Sequence, residues 1–459
     1  MHLNTIPDHR RVLLLQGPIG PFFRRLARFL TRRGTEVFKI NFNGGDALFF
    51  PGFAARNVFH FRDRTQNWKQ QLQAILIENR IEAILLFGDC RFYHRVAIQV
   101  ARRLGVEIYV FEEGYIRPDF FTLEYGGANG HSSLPRDRSF YDKRVPAGEA
   151  QTIQPVGTRI IWPTVFYAVL YGIAGAAGKA VFPYYRHHRK HFSIKHGLLW
   201  IRGWLRKPLY ALRERKLLPR LSGPLSKKFF LVPLQIQSDS QLLVHSKYRH
   251  VNKFIQHVMA SFSTDAPADR HLVFKHHPLD RGFRDYGTLV REAARAYGVE
   301  DRVHYVHDLH LPTLLRHALG TVVVNSTVGF SSLLHQTPVK TLGKAIYGLP
   351  GLVHQGSLAS FWRKPEPIDQ QLHRNFRRYL IAHTQINGSL YSWRGFRKGR
   401  ELEPGDTSKA MAPAGPVYSL AEQCITIPAE RTNTSWEQPA PHRQFTASNS
   451  SLRRTTTRV

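Results

Sequence analysis

The amino-acid sequence predicts an α/β protein in which two Rossmann-like domains are joined by a helical, basic insertion and followed by a disordered tail. Three observations support this prediction. The chain has 459 residues, 42% of them apolar, which is enough for more than one packed core. Strand-like and helix-like patterns alternate in two separate stretches, and the segments between and after these stretches differ from them in composition.

Residues 11–150 form the first stretch. RVLLLQG is continuously apolar and ends at Gly17, as a buried parallel strand does, and PFFRRLARFLTRRG then repeats apolar residues at helical spacing up to Gly34. Further strands are predicted at TEVFKINF, EAILLFGD and VEIYVFEEGY. Ligands of such sheets bind beyond the carboxyl ends of the strands, so the loops NFNGGD, FGDC and FEEGY are expected at the functional edge.

Residues 229–350 repeat this pattern. FFLVPLQ, HLVFKHHP, RVHYVHD and GTVVVNSTVG are predicted strands separated by helical segments, and NSTVGFSSLLHQ indicates a turn from a strand into a helix. Two such domains facing each other form the GT-B plan of many nucleotide-sugar glycosyltransferases. On fold alone this is an analogy, and it says nothing yet about the activity.

The segment between the two stretches has a different character. Residues 160–178 carry no charge, and Lys179–Lys228 holds 14 Lys or Arg but one acid, Glu214. An apolar stripe at helical spacing from Ile194 to Leu205, a basic remainder and three tryptophans predict helices that lie on an anionic membrane. Two alternatives remain: a helical hairpin packed on the core, or a true span, which Pro163 and the glycines disfavour.

These observations predict four parts of the chain. Residues 1–150 form an N-terminal Rossmann-like domain on the acceptor side, and 151–228 form the apolar and basic membrane-proximal segment. Residues 229–394 form a C-terminal Rossmann-like nucleotide-sugar domain. Residues 395–459 are rich in Ser, Thr, Pro and Arg without periodicity, which is typical of a disordered tail.

Charge and cysteine content narrow the partners and the compartment. The formal net charge of +32 indicates an anionic partner, yet no helix-turn-helix, RRM or zinc-finger signature is present, so nucleic acid is not expected. Two cysteines indicate a reducing compartment. The short apolar run near the N-terminus suits a first strand better than a signal peptide, so a cytoplasmic location is predicted.

The most informative strand end is FLVPLQIQSDSQ. An apolar run gives way to amides and hydroxyls around one acid, Asp239, with Gln235 and Gln237 placed to bind a sugar or to orient the acid. This pattern suits a catalytic or sugar-binding carboxylate. The alternative is the cap of the following helix by Ser238, Asp239 or Ser240.

Two further clusters suit an anion. In FKHHPLDRG, His277 is held in an extended conformation by Pro278 and stands near Lys275, so it can meet a phosphate. Ordinary surface histidines are the alternative. The second cluster, VVVNSTVGFSS, offers backbone N–H groups and hydroxyls at a helix start, with the candidates Ser326, Thr327 and Gly329. Simple N-capping is the alternative there.

The first half supplies acids and a glycine-rich loop. Glu112 and Glu113 end a strand and suit a general base or a sugar contact. Asn43 and Asp46 in NFNGGD suit acceptor or sugar binding, or a plain turn. The chain lacks a P-loop, a G-x-G-x-x-G fingerprint and a Cys/His metal spacing, so neither a metal nor another cofactor is expected.

Taken together, these motifs resemble the capsule polysaccharide biosynthesis and export family of Gram-negative bacteria, most closely its KpsS type. LLLQGPIGPFFRRLARFL, EEGYIRPDFFTLEYGGANG, PLQIQSDSQ, KHHPLDRG, VNSTVGFSSLLHQTPV and TQINGSLY carry the resemblance, which covers roughly residues 10–395. It implies a retaining β-Kdo transferase. Such an enzyme uses CMP-Kdo to start a poly-Kdo linker on a phosphatidylglycerol-type lipid, at the cytoplasmic face of the inner membrane and near other capsule synthesis and export proteins.

The resemblance also implies roles for single residues. Asp239 matches the proposed nucleophile of a double displacement. His277 and Pro278 match the CMP-binding motif, and Ser326 and Thr327 match a position that holds phosphate or the Kdo carboxylate. Glu112 or Glu113 would be the base for the acceptor hydroxyl. The competing hypothesis is a non-enzymatic adaptor that brings finished capsule polymer to its exporter.

Overall fold

A computed structural model describes residues 6, 8–52, 56–143, 153, 155–156, 161–186, 194–237, 242, 244 and 246–391. The predicted tail and the candidate Asp239, with Ser238 and Ser240 beside it, lie outside the described residues.

The first half is a twisted sheet with helices on both faces. Its strands are β1 (Arg11–Leu14), β2 (Glu36–Asn41), β3 (Val58–His60), β4 (Ala83–Phe87), β5 (Glu107–Glu113) and β6 (Phe120–Tyr125). Its helices are α1 (Phe22–Thr31), α2 (Gly44–Phe49), α3 (Trp68–Glu78), α4 (Phe92–Arg103) and α5 (Arg138–Lys143). β1 to β5 are parallel in the order β3-β2-β1-β4-β5, and β6 runs antiparallel to β5. The apolar runs form strands because helices cover both faces of this sheet.

Three helices follow: α6 (Ile161–Ala177), α7 (Ile194–Glu214) and α8 (Leu217–Ser222). α6 lies directly against α2, because a Cβ at Gly44 would come within 2.0 Å of the Ala174 carbonyl oxygen. α7 instead lies against the second half, since a Cβ at Gly282 would come within 1.9 Å of the Leu199 carbonyl oxygen. Within the described ranges, no helix combines the length and the apolar character that crossing a bilayer would take.

The second half contains an all-parallel sheet in the order β11-β10-β7-β8-β9. Its strands are β7 (Phe229–Pro233), β8 (His271–Lys275), β9 (Val303–Val306), β10 (Gly320–Val323) and β11 (Val339–Thr341). Its helices are α9 (Val251–Asp265), α10 (Gly287–Ala296), α11 (Leu311–His317), α12 (Thr327–Leu334) and α13 (Leu358–Arg363). The predicted α/β class with two Rossmann-like halves is therefore confirmed, with β6 as an antiparallel strand of the first sheet.

The chain then returns to the first half. α14 (Gln370–Thr384) packs on α5 through edge-to-face rings of Tyr141, Phe376 and Tyr379, and Arg138 pairs with Asp369 at 2.5 Å. β12 (Gln385–Asn387) joins the first sheet, antiparallel to β6. The sequence analysis assigned residues 385–387 to the second half, because three residues show no periodicity that reveals their distant partner.

Candidate active site

Residues of both halves line a small cleft. Its polar lining comes from Tyr115 and Asn129 of the first half and from Asn325, Thr327, Lys344 and Tyr347 of the second. The second-half residues follow β10 and β11, so the cleft lies where the strands end, as the sequence analysis expected for a ligand site.

The start of α12 forms the floor of this cleft. Ser326 caps the helix by accepting a hydrogen bond from the Val328 N–H at 3.2 Å. A Cβ at Gly329 would lie 2.1 Å from the Tyr347 hydroxyl, and this hydroxyl donates to the Ser326 carbonyl oxygen at 2.5 Å. The absence of a side chain at Gly329 therefore leaves room for Tyr347, whose hydroxyl bonds to the capping residue Ser326. Capping and anion binding are compatible here, because the helix start still directs N–H groups and positive potential into the cleft.

The loop after β7 reaches the same place. Gln235 is buried, and its Nε2 donates to Oδ1 of Asn325 at 3.2 Å. Gln237 is used differently: its Nε2 donates to the Arg249 carbonyl oxygen at 2.8 Å, and its Oε1 accepts from the Val251 N–H at 2.9 Å. Gln235 thus contacts a residue of the cleft lining, whereas the Gln237 amide holds the start of α9.

His277 has a defined tautomer. It is the extended residue before Pro278, and its Nδ1 accepts a hydrogen bond from the Leu279 N–H at 3.2 Å. The proton of the neutral ring is therefore on Nε2, which makes Nε2–H a donor. Burial, followed by the charges of Lys275, Arg117 and Arg281, lowers the pKa of His277 to about 3. The ring is a neutral donor at physiological pH.

Cations surround this histidine. Lys275 is buried at the end of β8, with its Nζ donating to the His307 carbonyl oxygen at 3.2 Å. Arg281 forms a buried two-pronged pair with Asp308, at 2.8 and 2.7 Å, which pins the loop after Pro278 to the end of β9. Arg117 comes from the first half, so cations of both halves act on His277. Such a site favours a phosphate or a carboxylate.

Glu112 and Glu113 end β5 in different environments. Burial is the largest cause that raises the pKa of Glu112 to about 7, and the charges of Glu113 and Asp89 add to it. Glu113 accepts a hydrogen bond from the Tyr391 hydroxyl at 2.8 Å, and its N–H donates to Oε1 of Glu112 at 3.0 Å. A carboxyl that titrates near neutral pH suits a general base, so Glu112 is the better candidate.

A second acidic group supports the loop that carries Asn129. Asp89 is buried and accepts from the Ala128 N–H at 3.0 Å, and its Oδ2 lies 3.0 Å from Nδ1 of His131. The side chain of His131 is 48% exposed. With Cys90, these two residues form a group whose ligand atoms lie within 4.8 Å of one another, the one such group of three or more in the described part of the chain. The carboxylate is already used by the imidazole and the loop, so we assign it a positioning role.

Glu124 holds the same loop from the other side. Its Oε1 accepts from the Tyr115 hydroxyl at 2.5 Å, its Oε2 accepts from Ser132, and burial raises its pKa to about 7. The Tyr115 hydroxyl also accepts from the Asn129 N–H. Two buried carboxyls therefore fix the cleft wall formed by residues 127–132.

Asn43 and Asp46 belong to a buried hydrogen-bond network between α2 and α6. Asn43 caps α2 by accepting from the Asp46 N–H at 2.9 Å, and its Nδ2 donates to the Tyr171 hydroxyl at 2.7 Å. Asp46 accepts from Tyr171 at 2.9 Å and from Gln16 at 3.2 Å. Both side chains tie α2 to α6, an arrangement closer to the turn alternative than to an open sugar contact.

Several cleft residues were not singled out by the sequence analysis. Lys344 follows β11, whose three residues gave no strand pattern. Asn129 and His131 lie in a short 3-10 helix within GGANGHSS. Neither place follows a strand that the sequence predicted, and the contacts that bring these residues to the cleft join positions distant in sequence.

Comparison with known proteins gives the family of the chain. A family model described as "Capsule polysaccharide biosynthesis protein" matches residues 82–391. The chain belongs to this family. It is also 39% identical, over 391 residues, to the capsule polysaccharide export protein KpsS of Escherichia coli, covering 85% of this chain and 99% of that protein.

The chain is similar to two other proteins. The capsule polysaccharide modification protein LipB of Neisseria meningitidis serogroup B is 39% identical over 393 residues, covering 85% of this chain and 93% of that protein. Among solved structures, the β-Kdo 2,7 transferase KpsC of Thermosulfurimonas dismutans covers 80% of this chain and 89% of its own, with 14% identity and a TM-score of 0.38. Similarity at that level is too distant to assign an activity to this member of the capsule biosynthesis family.

Proposed function

We propose that the protein is a retaining β-Kdo transferase that uses CMP-Kdo to start the poly-Kdo linker of a capsular polysaccharide on a phosphatidylglycerol-type lipid. The observation that carries this proposal is the grouping of a neutral His277 donor, buried Lys275, Lys344 and the start of α12 along one edge of the second sheet. That combination suits the phosphate of a nucleotide and the carboxylate of an acidic sugar.

The first step forms a covalent sugar–enzyme bond. A carboxylate oxygen of Asp239 attacks the anomeric carbon, the bond from that carbon to the phosphate oxygen breaks, and CMP departs with the bonding electron pair. Gln235, four residues before Asp239 in the chain, donates a hydrogen bond to Asn325, which lines the cleft. Nε2–H of His277 and the cations around it stabilise the phosphate charge as it develops.

The second step releases the sugar to the acceptor. The acceptor hydroxyl attacks the anomeric carbon, its proton passes to Glu112, and the bond to Asp239 breaks. Two inversions preserve the configuration of the donor. Glu113 would then orient its neighbour, and Ser326 and Thr327 would hold the phosphate or the sugar carboxylate. No step needs a metal, because protein cations offset the phosphate charge.

A lipid acceptor implies work at a membrane surface. The proposed location is peripheral, on the cytoplasmic face of the inner membrane, next to other capsule synthesis and export proteins. The net charge of +32 suits this location, because anionic phospholipids attract basic segments.

A test against CMP separates the enzyme from the export adaptor. Thermal unfolding of the purified chain is recorded with CMP and, separately, with finished capsule polymer. Stabilisation by CMP that is lost in His277→Ala supports the transferase. A response to polymer alone, with none to CMP, would support the adaptor instead.

A further inference from the structure

The outer face of α6 carries an exposed apolar stripe. Trp162, Phe166, Val169 and Ile173 are between 39% and 73% exposed, and their spacing of four, three and four residues places them on one side of the helix. The opposite side is fixed to the first half, where Tyr171 bonds to Asp46. Contacts between the opposite side of α6 and the first half therefore fix the position of the exposed stripe.

α7 has the same two-sided construction on the second half. Leu198, Ile201, Leu205, Leu209 and Leu212 are each more than half exposed and recur every three or four residues. Half of all the exposed large hydrophobic residues in the described ranges lie on α6 and α7. Soluble surfaces scatter such residues singly, so two continuous stripes indicate a binding surface.

The inner face of α7 is fixed to the loops that carry the candidate donor site. Glu214 accepts from the His307 N–H at 2.7 Å and from the Asp308 N–H at 3.0 Å. The ring of Tyr210 stacks on His307 with 3.6 Å between centroids. Arg206 donates to the Arg281 carbonyl oxygen at 3.0 Å, in the loop that follows His277. The position of α7 is thus bound to that of the donor loop.

The charge of the segment that contains α7 indicates what kind of partner binds to the two apolar stripes. Residues 179–228 hold 14 Lys or Arg and a single acid, Glu214, whose carboxylate is buried against His307. The segment therefore exposes no acid to solvent, and the surface formed by the two apolar stripes and this basic segment suits a partner that is both apolar and anionic. Residues 392–459 carry ten Lys or Arg against six acids, so this tail has the wrong sign to cover the stripes.

We propose that α6 and α7 dock on an anionic phospholipid bilayer, each laying its apolar stripe in the headgroup region, so that each half of the cleft is anchored separately. Two anchors on one body bind far more tightly than one, because the second contact forms at high effective concentration. The inference deepens the proposed function by assigning the surface that meets the lipid, and bilayer binding itself does not depend on the transfer reaction.

Vesicle flotation of the full chain tests this proposal without donor or acceptor turnover. Vesicles contain phosphatidylcholine alone or phosphatidylcholine with phosphatidylglycerol. One variant combines Trp162→Gln with Phe166→Gln on α6, a second combines Leu205→Gln with Leu209→Gln on α7, and a third combines all four. The matched control is Ile77→Gln with Leu104→Gln, two exposed apolar residues of the first half that lie off these helices.

The expected result is flotation of the wild type and of the control on anionic vesicles, with at least about ten-fold weaker binding for each two-site variant and none for the four-site variant. The CMP thermal shift, unchanged in every variant, verifies that each is folded.

Wild-type binding that is absent or independent of phosphatidylglycerol would overturn the proposal, and so would variants that bind as wild type does. If the variants bind vesicles as the wild type does but have a lower mass in solution by light scattering, the stripes join two copies of the chain instead. Flotation without any CMP response would leave the docking surface standing and refute the transferase.

Discussion

The Tyr391 hydroxyl donates a hydrogen bond to Oε1 of Glu113 at 2.8 Å, while desolvation raises the pKa of the neighbouring Glu112 to about 7. The two acids at the end of β5 therefore differ in what they can do. Glu113 is oriented by a hydroxyl donor, whereas Glu112 can exchange a proton near neutral pH.

We predict that Glu112→Gln lowers kcat by about 10²-fold or more, within the range of general-base losses, and that Glu113→Gln has a smaller effect. In the wild type, kcat should rise with pH through about 7, because Glu112 must lose its proton to act as a base. Initial rates across pH 5.5–8.5 measure both effects, with Tyr391→Phe as the matched control. Equal losses in the two glutamine variants would show that the difference in environment does not select the base.

The same carboxyl affects stability in a defined direction. The pKa of Glu112 in the folded protein lies above its ordinary value of 4.5, so the folded state binds more protons than the unfolded state between these two values. The contribution of Glu112 to stability therefore falls as pH rises from about 4.5 to about 7. Glu112→Gln should lose this part of the pH dependence of thermal unfolding, and an unchanged profile would contradict the raised pKa.

His277 should bind CMP as a neutral donor. With its pKa lowered to about 3, the ring does not titrate between pH 6 and 8 in the free protein, and its Nε2–H remains available. His277→Ala should weaken CMP binding by about ten-fold or more, because a hydrogen bond to a charged group contributes about 1.5–3 kcal/mol. Calorimetric titration at pH 6 and pH 8 should give similar losses, with the exposed His310→Ala as control. A loss confined to the lower pH would mean that the ring acts as a cation.

The Asp89–His131 pair should affect turnover more than nucleotide binding. Asp89→Asn weakens the bonds to His131 and to the Ala128 N–H, which loosens the first-half wall of the cleft, while the proposed CMP-binding residues belong to the second half. We expect a lower kcat with CMP affinity unchanged, measured by rates and titration on one preparation. Asp63→Asn, a carboxylate that also accepts several bonds but follows β3, is the matched control. Equal loss of CMP binding would place the pair's role in general folding.

Tyr171 tests the connection between α6 and the first half. Its hydroxyl accepts from Gln16 and Asn43 and donates to Asp46, so Tyr171→Phe leaves buried polar groups short of a partner. The free energy of unfolding should fall by about 1–3 kcal/mol in urea titration. Tyr184→Phe, which removes a hydroxyl from a ring that is 47% exposed, should change it little. Similar values for the two variants would refute a structural role for the network.

The sequence predicted the framework better than the details of the site. Strand-like runs predicted β1, β2, β4, β5, β7, β8, β9 and β10 correctly, and the signal is strongest in strands such as β7 and β10, which are buried along their whole length. β3, β11 and β12 have three residues each, too few for a pattern, and so the return of the chain to the first sheet was missed. Sequence position marked Gln235 and His277, which lie at strand ends. It could not reveal that Asn43 and Asp46 meet Tyr171, since that contact spans more than 120 residues.

The central claim is transfer through a covalent intermediate on Asp239, and one assay tests it most directly. The purified chain receives CMP-Kdo, generated in situ because the donor is labile, with a fluorescent phosphatidylglycerol acceptor, and mass spectrometry follows the acceptor for the wild type and Asp239→Ala. The account predicts addition of one Kdo by the wild type and none by the variant. Addition that persists in Asp239→Ala would contradict the assigned nucleophile, and no addition by folded wild type with intact donor and acceptor would contradict the transferase.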